Sequence, residues 1–387
     1  MDTIHTSEKF PEELKNFTPT LKVGSPGRIN LIGEHTDYNN GFVMPTAIDK
    51  KIFFEFSENN TNSTCRVYSA TYEAYLEFDS NNFSKSDKAW ENYILGVVSE
   101  IQKKDKKIKG FDCILKSELS TGAGISSSAA LECGFASGLN TLFQLDLSKI
   151  EIAQLSQKAE HNFVGNNCGI MDQFASVLSK KDHIILLDCE SLQANYIPAD
   201  FKNCKLLLLN TNVSHSLADS EYNTRRKECE SAVSILKNTH PEINSLRDVT
   251  FEMLENEKNK LKGKSYQRSL YVLRENDRVQ KATEAIKAGK LTEFGNLMYG
   301  SHEGLQYDYE VSCKELDFLV EFSKDKSYIY GSRMMGGGFG GCTINLIEAD
   351  KIEEYTKEAA KAYFEEFQIK LDAIAVTPSA GTEIEYL

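Results

Sequence analysis

The sequence predicts an α+β protein, because strand-like and helix-like segments are interspersed along the chain. The first eighty residues are mostly strand-like, with many β-branched and aromatic residues, and the clearest such segment covers residues 41–56. A helix follows, in which Trp90, Ile94 and Val97 recur on one face at helical spacing. Beyond about residue 211 the chain is predicted to be mainly helical.

Local signals place further elements in the middle of the chain. A helix is expected to end near Leu142, and Ser148 with Glu151 forms a capping box that begins another, ending near Phe163. Short apolar runs predict two buried strands, at residues 183–187 and 205–209.

The length of 387 residues favours two domains. We place the boundary between residues 205 and 206, which gives an N-terminal domain of residues 1–205 and a C-terminal domain of residues 206–387. Residues 251–278 are rich in Lys, Glu and Asn and are interpreted as a solvent-exposed helical face.

Composition indicates which kinds of partner are disfavoured and which cellular compartment is expected. The chain has 44 basic and 57 acidic residues, a net charge of −13, which disfavours nucleic acid or an anionic membrane as the main partner. Residues 1–10 lack the basic start and apolar core of a signal peptide. The nine cysteines are scattered without a C-x-x-C pair, which fits reduced thiols in a cytoplasmic protein.

Two glycine-rich loops are the most informative local features. The first, Gly122–Ala129, follows the strand-like residues 111–119 and leads into helical sequence, an arrangement that presents backbone N–H groups and a helix dipole to a phosphate. The second, Gly336–Gly341, leads into the strand-like residues 342–347. It is either a second phosphate contact or a tight turn between strands.

The densest polar cluster lies in residues 27–39, where charged side chains alternate with glycines. Its carboxylates, Glu34 and Asp37, suit the hydroxyls of a sugar. A surface turn containing an Arg–Asp pair remains an alternative. A metal site built from Glu34, His35 and Asp37 is disfavoured, because the cluster contains a single histidine.

A second polar cluster covers residues 160–173. Asp172 lies between Met171 and Gln173 in an apolar setting that indicates partial burial. Buried carboxylates are rare unless they are paired or catalytic. Asp172 is therefore either a functional carboxylate or a helix cap.

Taken together, these segments resemble the GHMP kinases, and among them the members that act on galactose. Residues 27–38 match the family's G-R-x-N-[LI]-I-G-E-H-x-D-Y signature without a gap. The other matching segments, in the family's order, are residues 90–93, 119–130, 168–173, 220–226 and 334–343. Ser120 stands where the family usually has proline.

The resemblance implies a ribosomal protein S5 domain 2-like N-terminal domain and a ferredoxin-like C-terminal domain, with the active site in the cleft between them. It implies phosphorylation of D-galactose at the anomeric hydroxyl by ATP with Mg²⁺, giving galactose 1-phosphate and ADP, the first committed step of galactose breakdown. The partners would be galactose and ATP, and the chain a monomer or weak oligomer. A kinase of N-acetylgalactosamine and a non-catalytic galactose-sensing relative remain alternatives.

The resemblance also assigns roles to residues. Arg28 and Asp172 would act at the reacting hydroxyl. The sugar would be held by Glu34, His35, Asp37, Gly169, Asp172 and Tyr222. The ATP phosphates would be held by Gly122, Ala123, Gly124, Ile125, Ser126, Ser127 and Ser128. Trp90 would lie near the adenine, and Ser128 and Glu160 would bind Mg²⁺.

Overall fold

The computed structural model describes residues 11–120, 122–214 and 218–387. Within these ranges helices and strands are interspersed, which confirms the α+β class. The signal-peptide expectation for residues 1–10 lies outside the described residues, as does Thr121 in the first glycine loop.

The strands form three sheets. In chain order they are β1 (Leu21–Asn30), β2 (Phe42–Val43), β3 (Pro45–Glu58), β4 (Thr64–Ser69), β5 (Ala74–Asp79), β6 (Phe111–Ser117), β7 (His183–Asp188), β8 (Ala194–Pro198), β9 (Cys204–Ser214), β10 (Ile329–Met334), β11 (Gly340–Glu348), β12 (Asp372–Val376), β13 (Pro378–Ser379) and β14 (Glu383–Tyr386). A seven-stranded sheet has the order β14-β1-β3-β6-β4-β5, with β13 paired to β3. The order of the four-stranded sheet is β10-β11-β9-β12, and that of the three-stranded sheet is β2-β7-β8.

The helices pack on these sheets. In chain order they are α1 (Ala89–Gln102), α2 (Ser127–Leu142), α3 (Lys149–Ala159), α4 (Met171–Leu178), α5 (Ala218–Leu236), α6 (Phe251–Asn256), α7 (Ser265–Lys287), α8 (Leu291–Glu303), α9 (Lys314–Lys324) and α10 (Ile352–Phe367). The predicted capping box at Ser148 and Glu151 is present at the start of α3. A π-helical turn, Glu160–Val164, continues α3 to the predicted end.

The predicted strand at residues 41–56 is two strands. Met44 separates β2 from β3 and is fully buried. The two pieces join different sheets, since β2 pairs with β7 and β3 pairs with β1 and β6. This short break carries the chain from one sheet to the next directly after the first polar cluster.

The interpretation of residues 251–278 as a solvent-exposed helical face is wrong for α7. Tyr271 and Glu275 are completely buried there, and Arg268 is 1% exposed. These three buried side chains of α7 form hydrogen bonds with main-chain atoms of other segments. A charged composition does not reveal that kind of burial.

The hydrophobic core extends through both halves of the chain. One cluster of buried apolar side chains includes Phe54 on β3 and Phe135 on α2, and also Leu208 on β9 and Ile344 on β11. The strands β13 and β14 return to the first sheet. The domain boundary at residues 205/206 stays a prediction. None of the helices in the described ranges has both the length and the apolar character of a membrane-spanning segment.

Candidate active site

A cavity of about 230 Å³ lies where the segment after β1, the start of α4 and the β10–β11 turn meet. It is lined by Arg28, Glu34, His35, Asp37, Ser128, Glu160, Asn166, Cys168, Met171, Asp172, Tyr222, Gly336, Gly337, Gly338 and Phe339. The cavity therefore brings together predicted residues from five separate segments of the sequence.

At one side of the cavity Arg28 and Asp172 form a two-point ion pair. Arg28, near the end of β1, donates from Nε to Oδ1 of Asp172 at 2.7 Å and from Nη2 to Oδ2 at 2.8 Å. Its remaining donor, Nη1, reaches the carbonyl of Gly124 at 2.6 Å. All three groups of the guanidinium are thus occupied, and Arg28 links the first glycine loop to Asp172. The burial of Arg28 opposes its charge, but Asp172, Glu34 and Asp37 together outweigh burial and raise the pKa of the guanidinium.

The structure contradicts both simpler interpretations of these two residues. The turn at residues 27–39 is buried, and Arg28 pairs with Asp172, over 140 residues away, instead of with Asp37. Asp172 is not a helix cap, because Ile170 is the N-cap of α4. The Asp172 carboxylate instead accepts hydrogen bonds from Arg28 and from the Ser126 hydroxyl. Ser126 reaches it from a left-handed backbone conformation at the start of α2.

Glu34 joins the first polar cluster to the second glycine loop. Its Oε1 accepts from the backbone N–H of Gly336 at 2.7 Å and forms an ion pair with Nη2 of Arg333, 2.7 Å away, and its Oε2 accepts from Asn30. Burial raises the pKa of Glu34, although the neighbouring arginines oppose this. Sequence reasoning missed Arg333, a fully buried residue on β10. The available signal was a lone cation among the apolar residues just before the glycine loop.

His35 is a neutral side chain held at both ring nitrogens. Its ring nitrogen Nε2 donates to the carbonyl of Gly337, 3.2 Å away, and Nδ1 accepts from the hydroxyl of Tyr38 at 2.7 Å. The carbonyl can only accept, so the proton must be on Nε2. Burial lowers the pKa of His35 to about 3. The Tyr222 ring lies against the imidazole, with ring centroids 5.3 Å apart.

Asp37 and Gly169 are in direct contact. A Cβ on Gly169 would lie 2.0 Å from Oδ2 of Asp37, so any other residue would displace the carboxylate. Oδ1 of Asp37 accepts from the backbone N–H of Tyr38 at 2.9 Å. Burial, reinforced by the charge of Asp172, raises the pKa of Asp37 to about 7. Oδ2 has no donor among the described residues, so it is available to a bound ligand.

Another part of the cavity lining is acidic. Glu160 accepts from Asn166 at 2.8 Å and from Gln173 at 2.9 Å, and burial raises its pKa to about 7. Glu132, fully buried on α2, lies beside it. Within the described part of the chain neither oxygen of Glu132 makes a hydrogen bond of normal geometry, and burial raises its pKa well above the usual range.

The two glycine loops lie against each other. A second cavity of about 70 Å³ is lined by Gly122 and Gly124 together with residues of the β10–β11 turn. Gly122 and Gly124 have φ values of +80° and +70°, which favour glycine. The second loop is the connection of a β-hairpin, and Met334 pairs with Thr343 across it. It is thus a turn between strands, and through Gly336 and Gly337 it also contacts the candidate site.

Several predicted residues are not part of the main cavity lining. Ala123 and Ile125 are buried in the hydrophobic core, and Ser127 is the first residue of α2. Trp90, on α1, is half-buried against the same core. The roles predicted for these residues toward ATP stay predictions.

Three family models match the chain. The N-terminal domain of the GHMP kinases matches residues 92–180, and the C-terminal GHMP kinase domain matches residues 282–365. A galactokinase galactose-binding signature matches residues 8–58, which contain the first polar cluster. The fold and the site thus define the class of the protein: it is a two-domain GHMP kinase.

Relatives narrow the class further. The galactokinase of Thermosipho africanus is 43% identical over 93% of this chain and 99% of its own length, and that of Thermotoga maritima is 38% identical over 94% and 99%. The crystal structure of Lactococcus lactis galactokinase complexed with galactose superposes with a TM-score of 0.91 at 33% identity, covering 96% of this chain and 97% of that one. The chain belongs to the galactokinase family. A mevalonate kinase, at 19% identity and a TM-score of 0.63, shares the fold.

Proposed function

We propose that this chain transfers the γ-phosphoryl group of ATP to the anomeric hydroxyl of D-galactose, giving galactose 1-phosphate and ADP. The observation that carries the proposal is the two-point pair of Arg28 and Asp172. It stands between the glycine loop proposed for the phosphates and the side chains proposed for the sugar. Family membership supports the reaction, and the cavity supports the roles proposed for the residues that line it.

The proposed role of Asp172 in the reaction is to accept one proton. The anomeric O–H proton passes to the Asp172 carboxylate, the sugar oxygen forms a bond to the γ-phosphorus, and the bond to the β,γ-bridging oxygen breaks to release ADP. Arg28 holds the carboxylate at two points and places a fixed positive charge beside the transferred group. Positioning and charge stabilisation are the main requirements of phosphoryl transfer. A carboxylate that orients the hydroxyl without taking its proton would use the same contacts.

The sugar would occupy the part of the cavity beside Asp37. Oδ2 of Asp37 faces this space without a donor from the described residues, and a sugar hydroxyl supplies one. Neutral His35 and the Tyr222 ring line the same wall. Glu34 has both oxygens engaged by the protein, so it would bind a hydroxyl through a remaining lone pair. Gly169 would give the sugar room and keep Asp37 in place.

ATP would lie along the first glycine loop, Gly122–Ser128. Its positive φ angles and its position at the start of α2 support phosphate binding by main-chain N–H groups. Trp90 is proposed for the adenine.

Two oxygen-bearing residues of the cavity lining fit Mg²⁺. Hard divalent cations prefer carboxylate and hydroxyl oxygens, and Ser128 and Glu160 present these to the cavity. The buried carboxyl of Glu132, which lacks a normal hydrogen bond to any described residue, lies beside Glu160, and burial raises its pKa well above the usual range, so a bound cation would favour its ionised form. Ser128 and Glu160 would hold the ion, which when bound neutralises the phosphate oxygens. Glu132 would support Glu160.

We also propose a cytoplasmic location, because all nine cysteines lie in described segments and all are free thiols. A monomer or weak oligomer stays our expectation for the assembly.

A coupled ADP-release assay across a panel of sugars tests the function. Glucose differs from galactose in the direction of its fourth hydroxyl, and an unpaired buried polar group costs about 1–3 kcal/mol. We expect galactose to be preferred about tenfold or more, and the Asp37→Ala variant to lose much of this preference. Equal turnover of glucose would contradict the proposal. Preference for N-acetylgalactosamine would retain the mechanism and change the substrate.

A further inference from the structure

Helix α7 contacts the main chain of the segment that carries the proposed sugar-binding side chains. Oε1 of Glu275 accepts from the backbone N–H of Gly33 at 2.9 Å. The hydroxyl of Tyr271 donates to the carbonyl of Glu34 at 3.0 Å. Oδ1 of Asn276 accepts from the backbone N–H of Phe42 at 2.9 Å. The loop formed by residues 33–42 is therefore held at both ends by one helix.

Inside this loop a single hydroxyl shares its one proton between the two ends. Oγ1 of Thr36 lies 2.8 Å from the carbonyl of Gly33 and 2.7 Å from the carbonyl of Phe42. The residues that Asn276 and Glu275 contact are thus the same two that Thr36 connects. A displacement at either end passes directly to the residues between them.

Glu275 is itself fixed. It is fully buried, and it also accepts from the hydroxyl of Ser301 on α8 at 2.5 Å and from Arg278 one turn along α7. A carboxylate bound on three sides has little freedom to move, so the position of the Gly33 N–H is set by the packing of α7 against α8.

Two glycines allow the loop to approach the helix this closely. A Cβ on Gly41 would lie 2.4 Å from Oδ1 of Asn276, and one on Gly33 would lie 2.9 Å from a methyl group of Val279. The packing of the loop against α7 therefore leaves no space for a Cβ atom at Gly33 or Gly41.

We propose that Asn276 and Glu275 are positioning residues for the sugar, which hold residues 33–42 so that Glu34, His35 and Asp37 face the cavity together. This inference rests on the proposed function. The described hydrogen bonds of α7 do not reach the glycine loop at residues 122–128, so we expect the effect to be larger on the sugar than on ATP.

The test uses Asn276, which is half-buried, since its truncation leaves the core of α7 intact. We expect Asn276→Ala to raise the KM for galactose about tenfold, because a loop that has lost a hydrogen bond worth on the order of 1 kcal/mol must be ordered again when the sugar binds. The KM for ATP should change little, and the unpaired N–H of Phe42 should lower the thermal midpoint by only a few degrees. Asn276→Asp keeps an acceptor in the same place and should restore most of the affinity. Asp277→Ala, at the exposed neighbouring position, is the matched control.

Calorimetry with galactose alone, and separately with a non-hydrolysable ATP analogue, completes the test. Unchanged galactose affinity in Asn276→Ala would overturn the inference, as would an equal loss of both ligands or the absence of rescue by Asn276→Asp. Weakened galactose binding in the variant, combined with no phosphorylation of galactose by the wild type, would support the inference and overturn the proposed function.

Discussion

Replacing Arg28 with lysine keeps the positive charge but removes the forked arrangement of hydrogen-bond donors. The guanidinium makes two contacts to Asp172 and one to the carbonyl of Gly124, at 2.7, 2.8 and 2.6 Å. A lysine ammonium is a compact charge on a flexible stem and cannot reproduce this fork. It would keep one contact to the carboxylate and lose the other two.

The size of the effect follows from those two lost contacts. A hydrogen bond to a charged group contributes about 1.5–3 kcal/mol, so the loss is about 3–6 kcal/mol. The Asp172 side chain is 25% exposed, so water recovers part of this energy. About 3 kcal/mol remains, which corresponds to a loss of turnover on the order of a hundredfold. The KM for galactose should rise less than kcat falls.

Steady-state kinetics from coupled ADP release measures both constants. Arg274→Lys is the control, because Arg274 is half-exposed and its pair with Asp308 lies on the surface. A variant Arg28→Lys that retains more than about a third of wild-type kcat would refute the reasoning. A loss confined to the KM for galactose would show that Arg28 only shapes the sugar pocket.

Three further predictions follow from the site. Asp172→Ala should lower kcat by about 10²–10⁴-fold while calorimetry shows ATP affinity largely retained, and a tenth of wild-type turnover would remove Asp172 from the chemistry. Gly124→Val should weaken the binding of an ATP analogue and leave the binding of galactose unchanged, because φ at residue 124 is +70°, a conformation that valine disfavours. An equal loss of affinity for both ligands would mean that the domain is damaged. Without ligands, Asp37 keeps its proton in the folded protein up to about pH 7, whereas in the unfolded chain it loses it near pH 3.8. Its contribution to the free energy of unfolding therefore falls as pH rises between these values, by up to about 1.4 kcal/mol per pH unit, and denaturant titrations should show a flatter profile in Asp37→Asn.

The sequence was sufficient to predict which charged residues line the cavity, although it did not single out Asn166 or Phe339. Glycines and charged residues occur there in short contiguous segments, and these matched a family without any knowledge of their spatial arrangement. The α+β class and the capping box at Ser148 were equally local signals. Each of these predictions depended on residues close together in the chain.

The supporting residues were not predictable in the same way. Arg333 reaches Glu34 from about 300 residues away, and Glu275 reaches Gly33 from over 240 residues away. Both are charged residues that are buried because their partners are buried. Sequence reasoning assigns charged side chains to the surface by default, and only the packing of α7 and β10 against the loop reverses this. The periodic pattern of apolar residues in the sequence does not indicate such long-range pairing.

The return of β13 and β14 to the first sheet has a consequence for synthesis of the protein. β1 lies between β3 and β14, and residues 21–24 pair with residues 383–386. A ribosome adding roughly 5–20 residues per second needs roughly 20–70 s to proceed from β1 to β14. During that time the outer edge of β1 has no strand beside it, and an open edge can pair with another chain. Until β14 is added, this edge is therefore a place where the nascent chain is exposed to pairing with another chain.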